Sequence, residues 1–254
     1  MPDALFADPR LARLYDAFDG PRDDLDPYLA IAAELGARSV LDIGCGTGCF
    51  GVLLADAGFS VVGVEPALAS LELARAKDSR VTWLHGDATG LPPLRADLAT
   101  MTANVAQVFL GDDWEAALRG VHDALRPGGH LVFETRRLEA RAWEGWAETT
   151  HRVVDGVAER RELLGVDLPF VSFRHTYRFP DGTEVASDST LRFRSRAEVE
   201  DGLVACGFEV VDVRDAPDRP GREHVFVARK VSAAPAPTRR PGESSGPGRP
   251  RRRP

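Results

Sequence analysis

The feature that most constrains this chain is a short apolar segment that runs directly into closely spaced glycines. It reads Val40-Leu41-Asp42-Ile43-Gly44-Cys45-Gly46-Thr47-Gly48. Glycines at such a place let the backbone turn sharply and let a ligand approach the main-chain N–H groups. Residues 46–51 also match the sequence of the dinucleotide-binding fingerprint G-x-G-x-x-G. The first glycine of that fingerprint should follow the strand immediately, but in this chain Gly44 occupies that position, so the register of the match is wrong. The segment therefore predicts a strand at 39–43, a ligand-binding turn and the start of a helix.

Helical and strand patterns alternate through the first half of the chain. Short apolar segments indicate further strands at 61–65, 81–85, 96–102 and 130–135. Apolar residues at helical spacing predict helices at 11–18, 27–35, 50–57, 67–77 and 114–125. This order favours an α/β fold, in which helices cover both faces of a parallel sheet.

The pattern changes after residue 135. A helix is predicted at 138–147, followed by β-rich runs at 150–154, 170–179 and 183–193. Ser195 and Glu198 form a capping-box pattern, which predicts a helix to about residue 206. The last strands are predicted at 208–213 and 223–227. Residues 150–193 are therefore interpreted as a β-rich insertion within one α/β domain spanning residues 1–230.

Two acidic residues end the strands that follow the glycine turn. Glu65 closes the segment Val62-Gly63-Val64-Glu65, where a carboxylate can accept both ribose hydroxyls of a nucleoside. Asp87 follows the next strand, and its carboxylate can accept a hydrogen bond from the amino group of adenine. Ligands of open α/β sheets bind at the carboxyl edge of the strands, so the turn and both acids should face one pocket.

These motifs together resemble those of the class I S-adenosylmethionine-dependent methyltransferases. The turn Asp42-x-Gly44-x-Gly46-x-Gly48 is similar to the first motif of that family, and Glu65, Asp87 and residues 125–129 match later motifs in order and spacing. The resemblance covers residues 39–135. It implies a Rossmann-like sheet of seven mostly parallel strands whose last strand is antiparallel. It also implies S-adenosyl-L-methionine as cofactor and S-adenosyl-L-homocysteine as product.

The resemblance also assigns the cofactor contacts. Asp42 and the turn at 44–48 would hold the methionine part, Glu65 the ribose and Asp87 the adenine. Tyr15-Asp16 resembles a pair that lies over the cofactor in methyltransferases of the glycine and aminosugar N-methylating types; packing of Tyr15 within its own helix is the alternative. The predicted cofactor-binding residues are Tyr15, Asp42, Gly44, Cys45, Gly46, Gly48, Glu65, Pro66, Asp87, Ala88 and Asn104.

The acceptor site is less well defined by the sequence. Methyl transfer from a sulfonium depends mainly on orientation and desolvation, so the absence of an obvious base does not argue against activity. Three residues are candidates for a catalytic base: Glu134, and His175 with Tyr177, which share one face of a strand in an antiparallel lid over the pocket. Alternatives stay open, because Glu134 could pair with a neighbouring arginine, His175 could be a surface histidine, and Asn104 could be a helix cap.

Charge and composition exclude several classes of function. The chain has a net charge of −7; residues 231–254 carry six arginines and one glutamate, so residues 1–230 carry −12. An acidic body disfavours nucleic acid, and no apolar run reaches the ~18 residues of a membrane span. The N-terminus lacks a signal-peptide pattern, and three cysteines fit a reducing cytosol. No metal site is expected, since Cys45 and Cys49 have no histidine nearby. The composition of residues 231–254 predicts a disordered tail.

The sequence therefore predicts a cytoplasmic methyltransferase, monomeric or homodimeric, that acts on nitrogen or oxygen of a small molecule. A nicotinamide-dependent oxidoreductase is the alternative enzyme, although neither Lys77 nor Lys230 stands four residues after a tyrosine, as a Tyr-x-x-x-Lys motif requires. A cofactor-binding regulator without catalysis is the alternative outside enzymes, and nothing in the sequence excludes it.

Overall fold

A computed structural model describes residues 2–146 and 150–231 of the chain. The α-helices of this part are α1 (Ala4–Ala7), α2 (Pro9–Asp19), α3 (Asp26–Glu34), α4 (Cys49–Asp56), α5 (Leu68–Lys77), α6 (Asp113–Ala124) and α7 (Arg196–Ala205). Its strands are β1 (Ser39–Ile43), β2 (Ser60–Glu65), β3 (Thr82–His85), β4 (Ala96–Met101), β5 (Leu125–Arg136), β6 (Thr150–Val154), β7 (Val157–Asp167), β8 (Phe170–Arg178), β9 (Glu184–Arg192), β10 (Phe208–Asp215) and β11 (Glu223–Lys230).

The strands form two sheets. The main sheet has seven strands in the order β3-β2-β1-β4-β5-β11-β10, and β11 is antiparallel to both of its neighbours. The insert sheet, β6 to β9, is antiparallel throughout. Both features confirm the predicted Rossmann-like fold with an antiparallel insertion. Since β2 and β4 flank β1 on opposite sides, the chain reverses its direction across the sheet there, and ligands of such folds bind at the carboxyl edge of that point.

Alternating side chains of the main sheet supply two apolar layers. In β1, Leu41 packs with the cluster that includes Leu118 of α6, whereas Val40 packs with the cluster that includes Leu54 of α4. Neighbouring residues of a strand point to opposite faces, so a continuous apolar strand requires helices on both sides. All residues of β4 are buried, as this arrangement demands.

Two predictions for the region after β5 were wrong. Residues 138–146 form two short 3₁₀ helices, Leu138–Ala140 and Ala142–Trp146, rather than one α-helix; Ala147 lies outside the described residues. Strand β7 was not predicted, because its charged residues and its register shift between Leu163 and Gly165 obscure the alternation. The turn Asp155-Gly156 before it, with φ of 51° and 76°, is the hairpin signal that could have revealed it. The predicted tail, apart from Val231, also lies outside the described residues.

The N-terminal cap, defined as residues 2–7 and including helix α1, contacts both the insert sheet and helix α5. Leu5 N–H donates to Ser187 Oγ of β9 at 2.8 Å, and Ser70 Oγ of α5 donates to the carbonyl oxygen of Phe6 at 2.9 Å. The cap therefore lies between the insert sheet and the helix that follows β2. No helix of the described residues combines the length and the apolar character needed to cross a membrane.

Candidate active site

A cavity of about 500 Å³ lies at the carboxyl edge of β1, β2 and β4. The N-terminal cap and β9 contribute to its wall through Asp3, Phe6 and Thr190. Nine of the eleven residues predicted to bind the cofactor line it, namely Tyr15, Asp42, Gly44, Cys45, Gly46, Glu65, Pro66, Asp87 and Ala88. Gly48 and Asn104 do not belong to the wall. The strand ends that the sequence placed at one edge are thus brought together.

Glu65 connects the glycine turn to the start of α5. Its Oε2 accepts the N–H of Gly46 at 2.9 Å, and its Oε1 accepts the N–H of Ala67 at 2.8 Å. Burial raises the pKa of Glu65, and these two hydrogen bonds act in the opposite direction. Each carboxylate oxygen can accept a second hydrogen bond. The side chain is therefore fixed in place and still able to accept two hydroxyl donors from the cavity.

Asp42 presents a carboxylate oxygen that has no partner. The residue is 1% exposed; Oδ1 accepts the hydroxyl of Thr100 at 3.0 Å, whereas Oδ2 has no hydrogen-bond partner among the described residues. Burial raises the pKa of Asp42 to about 7. Buried polar atoms are nearly always hydrogen-bonded. An orphaned oxygen at the wall of a cavity is suited to a ligand that brings a cationic N–H donor, such as an amino-acid ammonium group.

The glycines of the turn have two different tasks. Gly44 has φ +67°, and a Cβ built on it would lie 2.7 Å from Cγ2 of Val105, so its wall position tolerates no side chain. Gly48 and Gly51 instead make room for Trp83, whose ring would lie 2.7 Å from a Cβ at either position. Two of the three glycines that make residues 46–51 match G-x-G-x-x-G are therefore explained by packing against Trp83.

The remaining predicted cofactor residues lie on two sides of the cavity. Tyr15 lines it from α2, its ring 5.3 Å from that of Phe6, while the adjacent Asp16 accepts a hydrogen bond from Thr47 of the turn. On the other side, Asp87 Oδ1 accepts the N–H of Thr89 at 2.8 Å. Burial raises the pKa of the Tyr15 hydroxyl well above its usual range, so it stays protonated.

His175 and Tyr177 share a face of β8, as the alternation predicted, but that face does not line the cavity. His175 Nδ1 lies 2.7 Å from Oε1 of Glu159, and the Tyr177 hydroxyl donates to the same oxygen at 3.1 Å. Arg152 Nε donates to the other oxygen at 2.6 Å. The Tyr177 ring packs edge-on against Phe18 of α2 at 5.6 Å. The expectation that these side chains face the reacting methyl group is thus corrected: they belong to a buried polar cluster under the insert sheet.

Glu134, the third predicted catalytic residue, also lies outside the cavity wall. It is 1% exposed, and Oε1 accepts the N–H of Asn104 at 3.0 Å, while Asn104 Nδ2 donates to Glu223 Oε1 at 3.1 Å. The alternative of a pair with a neighbouring arginine is not formed in the described residues, since Arg136 faces Glu223 at 3.8 Å and Arg137 pairs with Asp215 at 3.0 Å. Burial raises the pKa of Glu134 to about 8, and the nearby Glu223 adds to the effect. Asn104, held by both carboxylates, fixes the turn whose neighbours Ala103 and Val105 line the cavity.

The chain is similar to known methyltransferases in sequence and in fold. Residues 40–129 match the family model of a methyltransferase domain. The CcbJ methyltransferase from Streptomyces caelestis is 26% identical, with a TM-score of 0.73 over 87% of this chain and 96% of its own. The chain thus matches a methyltransferase domain over residues 40–129 and has the fold of the class I S-adenosylmethionine-dependent methyltransferases.

Two further proteins are similar to this chain. Malonyl-[acyl-carrier protein] O-methyltransferase from Pseudescherichia vulneris is 32% identical over 127 residues, half of each chain. CalS10, an amino pentose methyltransferase from Micromonospora echinaspora, is 23% identical and shares the fold, with a TM-score of 0.67 over 82% of this chain and 91% of its own. The chain spans about half the length of the curated relatives it matches.

Several residues of the cavity wall could not be predicted from the sequence. Asp3, Phe6, Arg22 and Thr190 line it although they lie far from the glycine turn in the chain. No local pattern marks them, because only the folding of the cap and the insert sheet brings them there. In the described part of the chain, no group of three or more His, Cys, Asp or Glu side chains is arranged to hold a metal ion.

Changing both His175 and Tyr177 to phenylalanine is expected to reduce stability and to spare cofactor affinity. The change removes two donors from the buried Glu159 carboxylate and should lower the free energy of unfolding by about 2 kcal/mol or more. Urea denaturation and calorimetry with S-adenosylhomocysteine measure the two effects. Arg174→Gln, on the exposed face of the same strand, is the control and should change neither. A double variant with normal stability and weakened cofactor binding would contradict the structural role.

Glu134→Gln is expected to stabilise the protein at alkaline pH. The pKa of Glu134 is raised from its usual 4.5 to about 8 in the folded protein, so its contribution to stability is complete below pH 4.5 and is lost as the pH rises through 8. Glutamine cannot ionise and avoids this loss. Between pH 5 and pH 9 the variant should gain at least ~1.4 kcal/mol relative to wild type, the equivalent of one pKa unit. Urea denaturation at several pH values tests this, with the exposed Glu72→Gln as control; parallel pH profiles would refute it.

Proposed function

We propose that this protein transfers the methyl group of S-adenosylmethionine to a nitrogen or oxygen atom of a small molecule. The observation that carries the proposal is the convergence of an orphaned buried carboxylate oxygen, a glycine turn and a fixed Glu65 on one cavity. A volume of about 500 Å³ lies in the range of small-molecule sites. Carboxylates at three successive strand ends match the donors of an amino-acid ammonium, a ribose and an adenine.

The proposed cofactor contacts follow the positions of the wall residues. Asp42 would accept the ammonium group of the methionine part, and the backbone from Gly44 to Gly46 would lie against it. Glu65 would accept the ribose hydroxyls, and Asp87 the adenine amino group, with Pro66 and Ala88 beside the ring. Tyr15 would cover the cofactor from α2. Gly48 and Asn104 would act indirectly, by supporting the turn and the loop after β4.

Methyl transfer from a sulfonium requires little of the protein beyond the positioning of the two reactants. S-adenosylmethionine supplies a methyl group already activated on a sulfonium, for in-line displacement by the acceptor. The chain's own residues would bind both reactants, hold them in line and exclude water. Residues 1–230 would form the catalytic domain, with the insert sheet as a lid. One relative is named as an O-methyltransferase, and another is named as a methyltransferase of an amino pentose, a sugar that carries both amine and hydroxyl groups. An acceptor atom of either kind is therefore kept in the proposal.

Calorimetry with S-adenosylhomocysteine and with NADH tests the proposal. Wild-type protein should bind the former and not the latter. Glu65→Ala should weaken binding by ~1.5–3 kcal/mol, since hydrogen bonds to a charged carboxylate are lost. An unchanged affinity of that variant would remove the ribose assignment, and binding of NADH alone would favour the oxidoreductase. Formation of S-adenosylhomocysteine from S-adenosylmethionine in the presence of an acceptor excludes a non-catalytic regulator.

A further inference from the structure

One acidic side chain of the cavity wall has no task in the proposed cofactor contacts. Asp3 is the N-cap residue of α1, yet its carboxylate makes no hydrogen bond to that helix. Its Oδ2 instead accepts the hydroxyl of Ser189 in β9, and the side chain lines the cavity together with Phe6 and Thr190. An N-cap aspartate ordinarily binds the N–H groups of its own helix. The orientation of Asp3 toward the cavity therefore forgoes a usual source of helix stability.

The position of Asp3 is fixed by its surroundings. Leu5 and Phe6, which follow Asp3 in the cap, are held by Ser187 of β9 and Ser70 of α5 through the hydrogen bonds described above. Asp3 is half-buried, and burial raises the pKa of its carboxyl group. Val108 and Phe109, which follow β4, line the same cavity. Asp3 thus belongs to the acceptor end of the cavity, the part whose lining comes from the cap, β9 and the loop after β4.

In the described part of the chain, no basic side chain of the cavity wall is paired with Asp3. Among the described residues, Arg22 is the only basic side chain in the wall, and it is paired with Asp19 and Asp24 at 3.3 and 2.9 Å. The other acid at the acceptor end, Asp113, accepts the N–H of Gly111 at 2.7 Å and so serves its own loop. A partly desolvated carboxylate gains most from a cationic hydrogen-bond donor.

We propose that Asp3 binds the amine of the methyl acceptor as an ammonium ion and takes one N–H proton from it, so that the acceptor atom is nitrogen. The freed nitrogen lone pair would then form the new N–C bond, while the C–S bond breaks and S-adenosylhomocysteine leaves. This inference rests on the proposed function. A protonated amine can donate a charge-assisted hydrogen bond to the free oxygen of Asp3, while the rings of Phe6 and Phe109 offer apolar surface to its hydrocarbon part. A carboxylate acceptor would bring like charge next to Asp3 and is disfavoured. The N-terminal cap, rather than His175 and Tyr177, would then select the acceptor.

Matched ring compounds test this assignment in the full-length chain saturated with S-adenosylhomocysteine. Cyclohexylamine, cyclohexanol and cyclohexanecarboxylate differ only in the group offered to Asp3. Ligand-observed NMR titrations should show the amine bound with a dissociation constant of about 1 mM, a value reachable for so small a ligand, and at least ~10-fold more tightly than the other two. Asp3→Asn should weaken amine binding at least ~10-fold, and Asp188→Asn, the neighbouring exposed acid paired with Arg174, should not.

The results separate this inference from the proposed function. Calorimetry of Asp3→Asn should give wild-type affinity for S-adenosylhomocysteine, because the change keeps an acceptor for Ser189. If wild type fails to bind S-adenosylhomocysteine, the proposed function itself is overturned. If the cofactor product binds but the amine does not, or the alcohol or carboxylate binds as well as the amine, the assignment of an amine is overturned. Equal amine binding by Asp3→Asn would show that Asp3 only fastens the cap to β9.

Discussion

Replacing Gly44 with alanine is expected to weaken the binding of S-adenosylhomocysteine at least 30-fold, or about 2 kcal/mol. The new Cβ would lie 2.7 Å from Cγ2 and 3.0 Å from Cγ1 of Val105, on the wall of the cavity. The residue also has φ +67°, a conformation that costs an alanine roughly 1 kcal/mol. Both effects displace the turn from the cofactor. Calorimetry measures the affinity, and thermal melting shows whether the variant is folded.

Two further variants isolate the cause in Gly44→Ala. Adding Val105→Ala removes the crowded side chain and should recover much of the lost affinity, leaving the cost of the positive φ. Gly90→Ala is the control. Gly90 lies in the loop after strand β3, and a Cβ built there has no other atom within 4 Å. Wild-type affinity of Gly44→Ala, or no recovery in the double variant, would contradict the steric argument.

Replacing Trp83 with alanine is expected to lower the free energy of unfolding by about 3–5 kcal/mol, as for other buried aromatic residues. Trp83 is 9% exposed, and its Nε1 donates to the carbonyl oxygen of Asp78 at 2.8 Å. Its ring fills the space left by Gly48, Gly51 and Gly63. Loss of the ring removes the support beneath the turn, so the affinity for S-adenosylhomocysteine should fall as well. Urea denaturation and calorimetry measure the two quantities.

Trp143 provides the comparison for Trp83. It is also buried, at 6% exposure, but packs against Phe193 beside the insert sheet and does not line the cavity. Trp143→Ala should destabilise the fold comparably and leave cofactor affinity unchanged. Trp83→Phe, which keeps much of the ring volume, retains a folded protein for the binding measurement. If both alanine variants bind the cofactor product equally well, the turn does not depend on Trp83.

The parts predicted well from the sequence are those set by local patterns. Strand β1 begins and ends where the apolar segment does, and the capping box at Ser195 and Glu198 is formed as expected. The strand-end acids Glu65 and Asp87 reach one cavity because the carboxyl ends of parallel strands meet at one edge. At this edge of the sheet, the sequence motifs and the strand topology both predict the position of the cavity.

The parts predicted poorly depend on contacts between distant segments. Alternation correctly placed His175 and Tyr177 on one face of β8, but an apolar face with polar tips is equally compatible with a pocket wall and a packed face. Glu159, which decides between them, lies in β7, the strand whose charged residues concealed it. Asp3 accepts a hydrogen bond from Ser189, which lies 186 positions away in the sequence, and no property of either residue alone indicates that contact.

The place of the insert sheet in the chain has a consequence for how readily acceptor choice can change. Arg136 at the end of β5 pairs with Glu223 at the start of β11, so residues 137–222 form one large loop closed by these neighbouring strands. The segment from the start of β6 to the end of β9, residues 150–192, makes up about half of that loop. Halving or doubling a loop changes its closure entropy by only ~0.6 kcal/mol, less than a typical hydrogen bond contributes. Insertions, deletions and exchanges of the covering sheet are therefore inexpensive in chain entropy, and the cofactor-binding core can stay constant while its cover diversifies.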